Sequence, residues 1–585
     1  MSTESGFTEE QKQYLEGFLG GVMARRAAVG VAAAPSAAPG PADIRRAAQD
    51  RVIAAGGKLS PEEQGKREQE PLDLWDLMRE NAAAGRFPKG LDVFRHKFHG
   101  LFYVAPAQNA FMCRLRMPNG ILAAHQLRGL ADLALRLGGG YADVTTRANL
   151  QIREIGAQHA VDMLMGVQDL GLTSRGAGAD NVRNITGSPT AGIDAAELID
   201  TRPLARALHH YILNHRELYG LPRKFNIAFD GGGQVAVLED TNDIGFAAVA
   251  VEDGHGVPAG VYFRLQLGGI TGHGDFARDA GVLVKPDQCV AVAAAVLRAF
   301  IAEGDRTDRT RARLKYVLDR LGLERFLAET EALLPFKLDR LPLAACRPRT
   351  PRLKHGHVGV HAQRQPGLFY IGVVLPVGRM TAAQMAGIAD IAARFGSGTL
   401  RLTVWQNLLI SDVAEAALPE VEAAIAALGL DWRASNIRGA LVACTGNTGC
   451  KFSATDTKGQ AQALAAHLES RLALDQPVNI HLTGCPHSCA QHYVGDIGLL
   501  GARVGEESVE GYVIYVGGGA GAERGLGREI YPALPMAEVP RRVEGLLRHY
   551  LAHRRDAAES FHDFAARHAP EALRRGAEAV LAGAN

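Results

Sequence analysis

Four cysteines carry the first chemical signal in this chain. Cys444 and Cys450 lie in "ACTGNTGCKFSATDTKG" (443–459), and Cys485 and Cys489 in "HLTGCPHSCAQH" (481–492). Four thiolates can hold a zinc ion or an iron–sulfur cluster. The spacings here are C-x5-C and C-x3-C, neither of which makes the tight C-x2-C knuckle on which zinc usually draws. A cluster tolerates such irregular loops because it presents four iron corners in place of one central ion. Gly446, Gly449 and Gly484 let main chain pack close to sulfur, and Pro486 fixes the backbone between the second pair. On spacing alone a cluster, a zinc site and unligated core cysteines all stay open. Cys113, Cys289 and Cys346 have no such partners and read as buried small hydrophobes.

The elements that must position these thiols show themselves as an internal repeat. "RMPNGILAAHQLRGLADLALRLGGGYADVTTRANLQI" and "VLPVGRMTAAQMAGIADIAARFGSGTLRLTVWQNLLI" match at a constant offset of 258 residues. Pro118 answers Pro376, Gly120 answers Gly378, Gln126 answers Gln384 and Asp132 answers Asp390; Thr145 with Thr403 and Asn149 with Asn407 continue the series. Each copy reads strand, turn, amphipathic helix, Gly-rich turn, strand. Fainter echoes follow, "NVRN" (181–184) with "NIRG" (436–439) and "DIG" (243–245) with "DIG" (496–498). Two related halves imply a pseudo-twofold body with sites where the halves meet.

The bulk numbers agree with a large globular chain. A length of 585 residues allows about four domains at roughly 150 residues each. A formal charge of +1 argues against bulk attraction to nucleic acid or anionic membranes. Seven cysteines make an odd, low count that does not suit a secreted disulfide framework. No run of eighteen apolar residues exists to span a bilayer. The first residues carry acids where a secretory signal carries bases, and Arg25-Arg26 precede only a weakly apolar Ala/Gly run. We expect a cytoplasmic protein, with no membrane and no nucleic-acid partner.

Residues 8–26 read as an amphipathic helix with Tyr14, Phe18 and Val22 on one side, and "VAAAPSAAPGPAD" (31–43) as a linker. The helix bearing Val543, Leu546, Leu547 and Tyr550 is amphipathic and reads as packing. The Gly231–Gly233 triplet reads as a hairpin-like turn, and no Gly-rich dinucleotide fingerprint opens a strand–helix unit.

"TGNTGC…TGCPHSC", with the duplication around it, resembles the signature of the sirohaem- and [4Fe–4S]-dependent nitrite and sulfite reductases over about residues 95–540. The resemblance implies an α+β, pseudo-twofold duplicated fold of ferredoxin-like half-domains and two α/β sirohaem-binding halves. The expected boundaries are 1–90 for an N-terminal helical extension and linker, 91–160 and 346–415 for the half-domains, 161–345 and 416–550 for the sirohaem halves, and 551–585 for a helical tail. It implies a [4Fe–4S] cluster on Cys444, Cys450, Cys485 and Cys489, with the Cys489 sulfur shared between the cluster and the sirohaem iron.

Sirohaem is a polycarboxylate and the substrate is an oxyanion, so cations must surround both. Arg114 and Arg116 are two apart on an expected strand, as are Lys224 and Asn226, which places each pair on one face. Arg183 lies in an irregular stretch. Singly, each reads more plainly as a solvated surface charge. Matched to the family's motifs, Arg114, Arg183, Lys224 and Asn226 are the substrate-contacting positions, with Lys224 able to attract the anion and pass on a proton. Arg147, Asn149 and Gln151 align with the family's sirohaem-facing strand. Arg306, Arg309 and Lys315 stand where the family binds the macrocycle's carboxylates, although an exposed basic helix explains that segment equally well.

Sulfite reductases of this family typically carry a second lysine where Asn226 stands. One fewer cation suits the singly charged nitrite, and "GAGADNVR" lacks the cysteine of the Tyr–Cys crosslink found in some sulfite reductases. The resemblance therefore implies reduction of nitrite to ammonia by a monomeric enzyme fed by reduced ferredoxin. A ferredoxin-dependent sulfite reductase is the alternative. The related cobalamin-pathway monooxygenase fits less well, given the full duplication and the intact anion residues. A simple iron–sulfur carrier would have no use for those residues.

Overall fold

In the computed structural model, residues 43–583 are described. The helix expected over 8–26, and all but the last residue of the linker, lie outside the described residues.

The repeat has become two interlocked sheets. One runs Leu101–Val104, Ala110–Arg114, Leu150–Ile155, Tyr141–Val144 and, at its edge, Arg379–Thr381 from the other copy. Its counterpart runs Gly359–Ala362, Leu368–Val373, Leu408–Ala414, Thr399–Leu402 and then Ile121–Ala123, returned from the first copy. The exchanged strands are antiparallel additions, Arg379 facing Asp143 and Arg401 facing Ile121. Close approach of the copies explains the paired glycines. Gly120 and Gly378 sit at φ +68 and +81, and a Cβ there would lie 2.8 and 2.6 Å from Leu402 O and Val144 O of the opposite copy.

The helices Ala124–Leu137 and Ala382–Phe395 hold the same offset of 258 residues. The first buries Leu127, Leu130, Ala131 and Ala134, the one-sided stripe of an amphipathic helix. The second starts with a full capping box between Thr381 and Gln384, whereas Ala123 has no hydroxyl and only Gln126 closes back on the chain. Both copies share one apolar core, in which Leu130 and Met163 join Met385 and Ile391.

Each of the other halves is a mixed sheet with helices against it. In the third sheet Val182–Gly187, Phe225–Asp230 and Ile244–Val251 run parallel, and Gly260–Leu267, Arg278–Val284 and Asp339–Arg340 continue it antiparallel. In the fourth sheet Leu441–Ala443, Ile480–Thr483 and Ile497–Val504 are parallel, followed by antiparallel Val509–Val516 and Arg528–Pro535. The Gly231–Gly233 triplet therefore connects parallel strands and is not a hairpin turn. Val543, Leu546, Leu547 and Tyr550 are buried in the core against the fourth sheet, so that helix face is packing.

From Asp43 onward the segment expected as an extension is knitted into the third-sheet half. Ser60 caps the helix Pro61–Glu68, which brings Glu63 and Lys66, each 1% exposed, against Arg306 and Asp180. Among the described residues no helix is long and apolar enough to cross a membrane.

Candidate functional site

The four cysteines converge. Cys444 follows the strand Leu441–Ala443 and its amide donates to Leu482 O at 3.0 Å. Its Sγ accepts the Gly484 N–H at 3.2 Å. Gly484 has no room for a side chain, since a Cβ there would lie 1.7 Å from Ser453 Oγ. Cys485 Sγ lies 3.5 Å from His487 Nδ1. Cys450 and Cys489 complete one wall of a cavity of about 360 Å³, and all seven cysteines are unbonded. Burial pushes the Cys485 thiol up to about 12, with charge on Cys489, Cys444 and Cys450 adding to the rise. Four thiols lining one cavity, with burial raising Cys444 as well as Cys485, are the donor set an iron–sulfur cluster needs. Cys113 and Cys289 are buried elsewhere, as expected of small hydrophobes, and Cys346 is half-buried.

The rest of the cavity is cationic. Among the described residues it is lined by eight lysine and arginine side chains and one carboxylate, Asp143. The thiols stand where parallel strands of the fourth sheet end, at 443 and 483, while Arg183 and Lys224 stand where parallel strands of the third sheet begin. Arg114 ends its strand with the guanidinium 4.5 Å from the Phe102 ring centroid and one long contact, 3.5 Å, to Ala177 O. Arg183 donates only to Ala179 O, at 3.2 and 3.4 Å. Lys224 has no hydrogen bond or ion pair among the described residues. Burial, then Arg183 and Arg313, hold its pKa well below the usual lysine range. Arg183 is likewise depressed by burial and by Arg114 and Arg223. Uncompensated buried cations are costly unless an anion joins them, so the surplus fits a polycarboxylate macrocycle and an oxyanion substrate.

Asn226 is 2% exposed, with its backbone N–H 2.9 Å from Asp243 Oδ2. Its Oδ1 is buried without a partner. The second half repeats this pattern with Asn479, whose N–H meets Asp496 Oδ2 at 2.6 Å, but there His355 occupies Oδ1. The free amide oxygen thus marks the first half as the one built to receive something.

The other expected residues divide. Arg147 lines both this cavity and a smaller adjoining one of about 210 Å³, and donates to Asn242 Oδ1 at 2.7 Å. Asn149 lines the cavity but spends its amide on Leu115 O and the Leu150 N–H. Gln151 accepts from Arg153 at 2.7 Å. Arg309 reaches the smaller cavity while clamping Asp180 at 2.8 and 2.9 Å. Arg306 and Lys315 line neither cavity. Arg306 is buried against Glu63, and Lys315 pairs with Asp275 and Asp319. Arg116 does not share a face with Arg114, because the strand ends at Arg114 and Arg116 turns into the core as a fully buried side chain.

Sequence reasoning missed Arg153, Lys458, Arg223 and Arg313, which also line these cavities. Two had a visible signal: Arg223 adjoins Lys224, and Arg153 follows Gln151 by two residues on the same strand. Gly178 precedes the Arg183 strand, and a Cβ there would lie 2.6 Å from Phe102 Cζ.

Comparison with known proteins gives two matching family models. "Nitrite and sulphite reductase 4Fe-4S domain" matches residues 178–338 and 434–581. "Nitrite/Sulfite reductase ferredoxin-like half domain" matches 105–169 and 361–428. A ferredoxin–nitrite reductase of Synechococcus elongatus is 36% identical over 510 residues, covering 85% of this chain and 98% of its own. One of Leptolyngbya laminosa is 39% identical over 471 residues, covering 77% and 89%. The solved structure of the NirA protein of Mycobacterium tuberculosis superposes with a TM-score of 0.82 at 29% identity, covering 89% of this chain and 99% of that one.

Proposed function

The chain belongs to the nitrite and sulfite reductase family, and from that premise we propose that it reduces nitrite to ammonia with electrons from ferredoxin. In this family a sirohaem coupled to a [4Fe–4S] cluster supplies the electrons when bound. Here Cys444, Cys450, Cys485 and Cys489 would hold the cluster. Arg147 and Arg309, with Asn149 and Gln151 beside them, would face the macrocycle's rim.

The remaining chemistry falls to side chains. Reduction of nitrite to ammonium takes six electrons and eight protons and releases two waters, so the cavity must fix an anion and deliver protons. Arg114 and Arg183 can hold the oxyanion, because a guanidinium stays charged and offers a planar fork. Lys224, with no partner and a depressed pKa, is suited to give up a proton and recover it through water. Asn226 adds an amide in place of a fourth charge. The observation that carries the reading is the meeting of four thiols with these unpaired cations in one cavity.

The relatives' name supports ferredoxin as donor and nitrite as substrate. We place the enzyme in the cytoplasm, where seven unbonded thiols stay reduced. We take it to act as a monomer, since one chain supplies both copies of the exchanged half-domain. The test compares kcat/KM for ammonium from nitrite with that for sulfide from sulfite, using reduced ferredoxin. Nitrite should give the higher value, and a higher value with sulfite overturns the assignment.

A further inference from the structure

Lys97 is a cavity cation with no place in the reading above. Lys97 opens the short 3₁₀ turn Lys97–His99, and its side chain lines the cavity with Arg114 and Arg183. Its ammonium has neither hydrogen bond nor ion pair among the described residues. Most of its neighbours do have partners. Arg153 and Lys458 face Asp143, Arg147 donates to Asn242, and Arg114 and Arg183 each touch a carbonyl. Lys224 already has a role, and Lys451, also without a hydrogen bond or ion pair among the described residues, is exposed and stands over the Phe452 ring.

The backbone that carries Lys97 is pinned to the loop leading into the Arg183 strand. Gly176 N–H donates to Phe98 O at 2.7 Å, and Ser174 Oγ donates to His99 O at 2.7 Å. Gly178 lets the chains close up, since a Cβ there would lie 2.4 Å from Lys97 O. The charges that act most on Lys97 are Arg183 and then Lys451, both repulsive, and Asp180 attracts it more weakly. Lys451 is exposed. Lys97, half-buried, thus interacts with both the oxyanion-holding arginine and a lysine in contact with solvent.

We propose that Lys97 is the entry cation of the oxyanion site, capturing the incoming anion and sharing it with Arg183, so that it adds to substrate affinity and not to the chemical step. A flexible ammonium with three rotatable donors suits such a hand-over. Its lack of a protein partner is explained by the anion it awaits. The inference rests on the cavity being an oxyanion site.

The test uses holoenzyme of Lys97→Gln and Lys97→Arg. Lys97→Gln should keep wild-type sirohaem and iron content and wild-type kcat, while KM for nitrite rises about tenfold, the scale of one charge-assisted hydrogen bond. Lys97→Arg should recover most of the loss. The KM increase should be larger for doubly charged sulfite, and KM should depend less on salt than in the wild type. An unchanged KM overturns the proposal. So does a fall in kcat alone, which would make Lys97 a proton donor, or a loss of sirohaem, which would assign it to a macrocycle carboxylate. A wild-type preference for sulfite would overturn the substrate assignment while leaving this test intact with either oxyanion.

Discussion

Asp143 offers the sharpest test of how the cavity is held together. It is 3% exposed on the strand Tyr141–Val144. It accepts from Arg153 Nε at 2.9 Å and from Arg379 at 3.0 and 3.2 Å, and Lys458 Nζ lies 3.7 Å away. Arg379 comes from the exchanged strand of the second copy, and Lys458 from the helix Thr457–Glu469 of the thiol-bearing half. Arg153 in turn donates to Thr445 Oγ1 at 2.6 Å and Gly449 O at 3.4 Å, inside the Cys444–Cys450 loop. One carboxylate therefore ties three units to the cluster loop. Burial alone would raise its pKa, but Lys458, Arg153 and Arg379 outweigh it and lower the value from 3.8 to about 2. That shift is worth on the order of 2–3 kcal/mol of stability at neutral pH. Because the folded value is the depressed one, the contribution is complete above the ordinary carboxylate pKa and is lost as pH falls toward 2. Asp143→Asn also strands two buried cations, Arg153 and Lys458, and unpairs the partly exposed Arg379, so its cost should approach the ~3–5 kcal/mol of a broken buried pair. Urea unfolding followed by far-UV circular dichroism should show a lower midpoint, and iron and labile-sulfide assays should show partial loss from the loosened loop. A variant that unfolds at the wild-type midpoint with its full complement of iron would refute the reasoning.

Three further outcomes can be checked alongside. Asp180, fully buried between Lys66 and Arg309 and held at about 2 by them against its own burial, should cost about 3–5 kcal/mol as Asp180→Asn, read by the same unfolding assay. Cys485→Ser should lose cluster iron and sulfide while far-UV circular dichroism stays near wild type, because the apolar cores of both sheets lie away from this thiol. Asn226→Lys puts an ammonium beside Asp243 in place of an amide with an unpartnered oxygen. It should shift the ratio of kcat/KM values toward sulfite by about tenfold, the worth of one added charged hydrogen bond.

The duplication could be read from sequence because both copies need the same backbone at the same places. Asn119 and Val377, Ala148 and Gln406, and Glu154 and Asp412 all hold positive φ, each pair 258 residues apart. Such turns restrict residue choice, so identities persist around them. The strand exchange was not legible, since periodicity specifies a strand but not its neighbour. The registers of Arg379 on Asp143 and of Arg401 on Ile121 reveal it. Arg306 and Lys315 of the basic segment "GDRTDRTRARLKY" fall outside both cavities for a related reason. Sequence displays the charge of Arg306 but not the carboxylate that meets it, and Glu63 lies 243 residues away. Lys97, in "FRHKFHG", and Arg313, in "RTRARLKY", were passed over because one cation among other polar groups looks solvated until the fold shows what surrounds it.

The duplicated architecture offers two equivalent sites, each pairing the strand starts of one mixed sheet with the strand ends of the other, and the chain keeps only one open. At the second site the segment crossing between halves has moved in. Arg349 and Arg352 pair with buried Asp230 and Glu239, Lys354 with Asp496, and His355 caps Asn479. Arg438, the counterpart of Arg183, is tied to Glu469 at 2.8 and 3.0 Å. Trp405 stands where Arg147 would recur and joins a small apolar core with Val404 and Val442. Among the described residues the cavity's thiols come from the half whose strand ends face it, and Arg183 and Lys224, which have no ion pair, from the half whose strand starts face it. Each half has thus lost the part that would serve a closed site. That division explains why neither copy alone carries a complete motif, and why the reaction must take place between them.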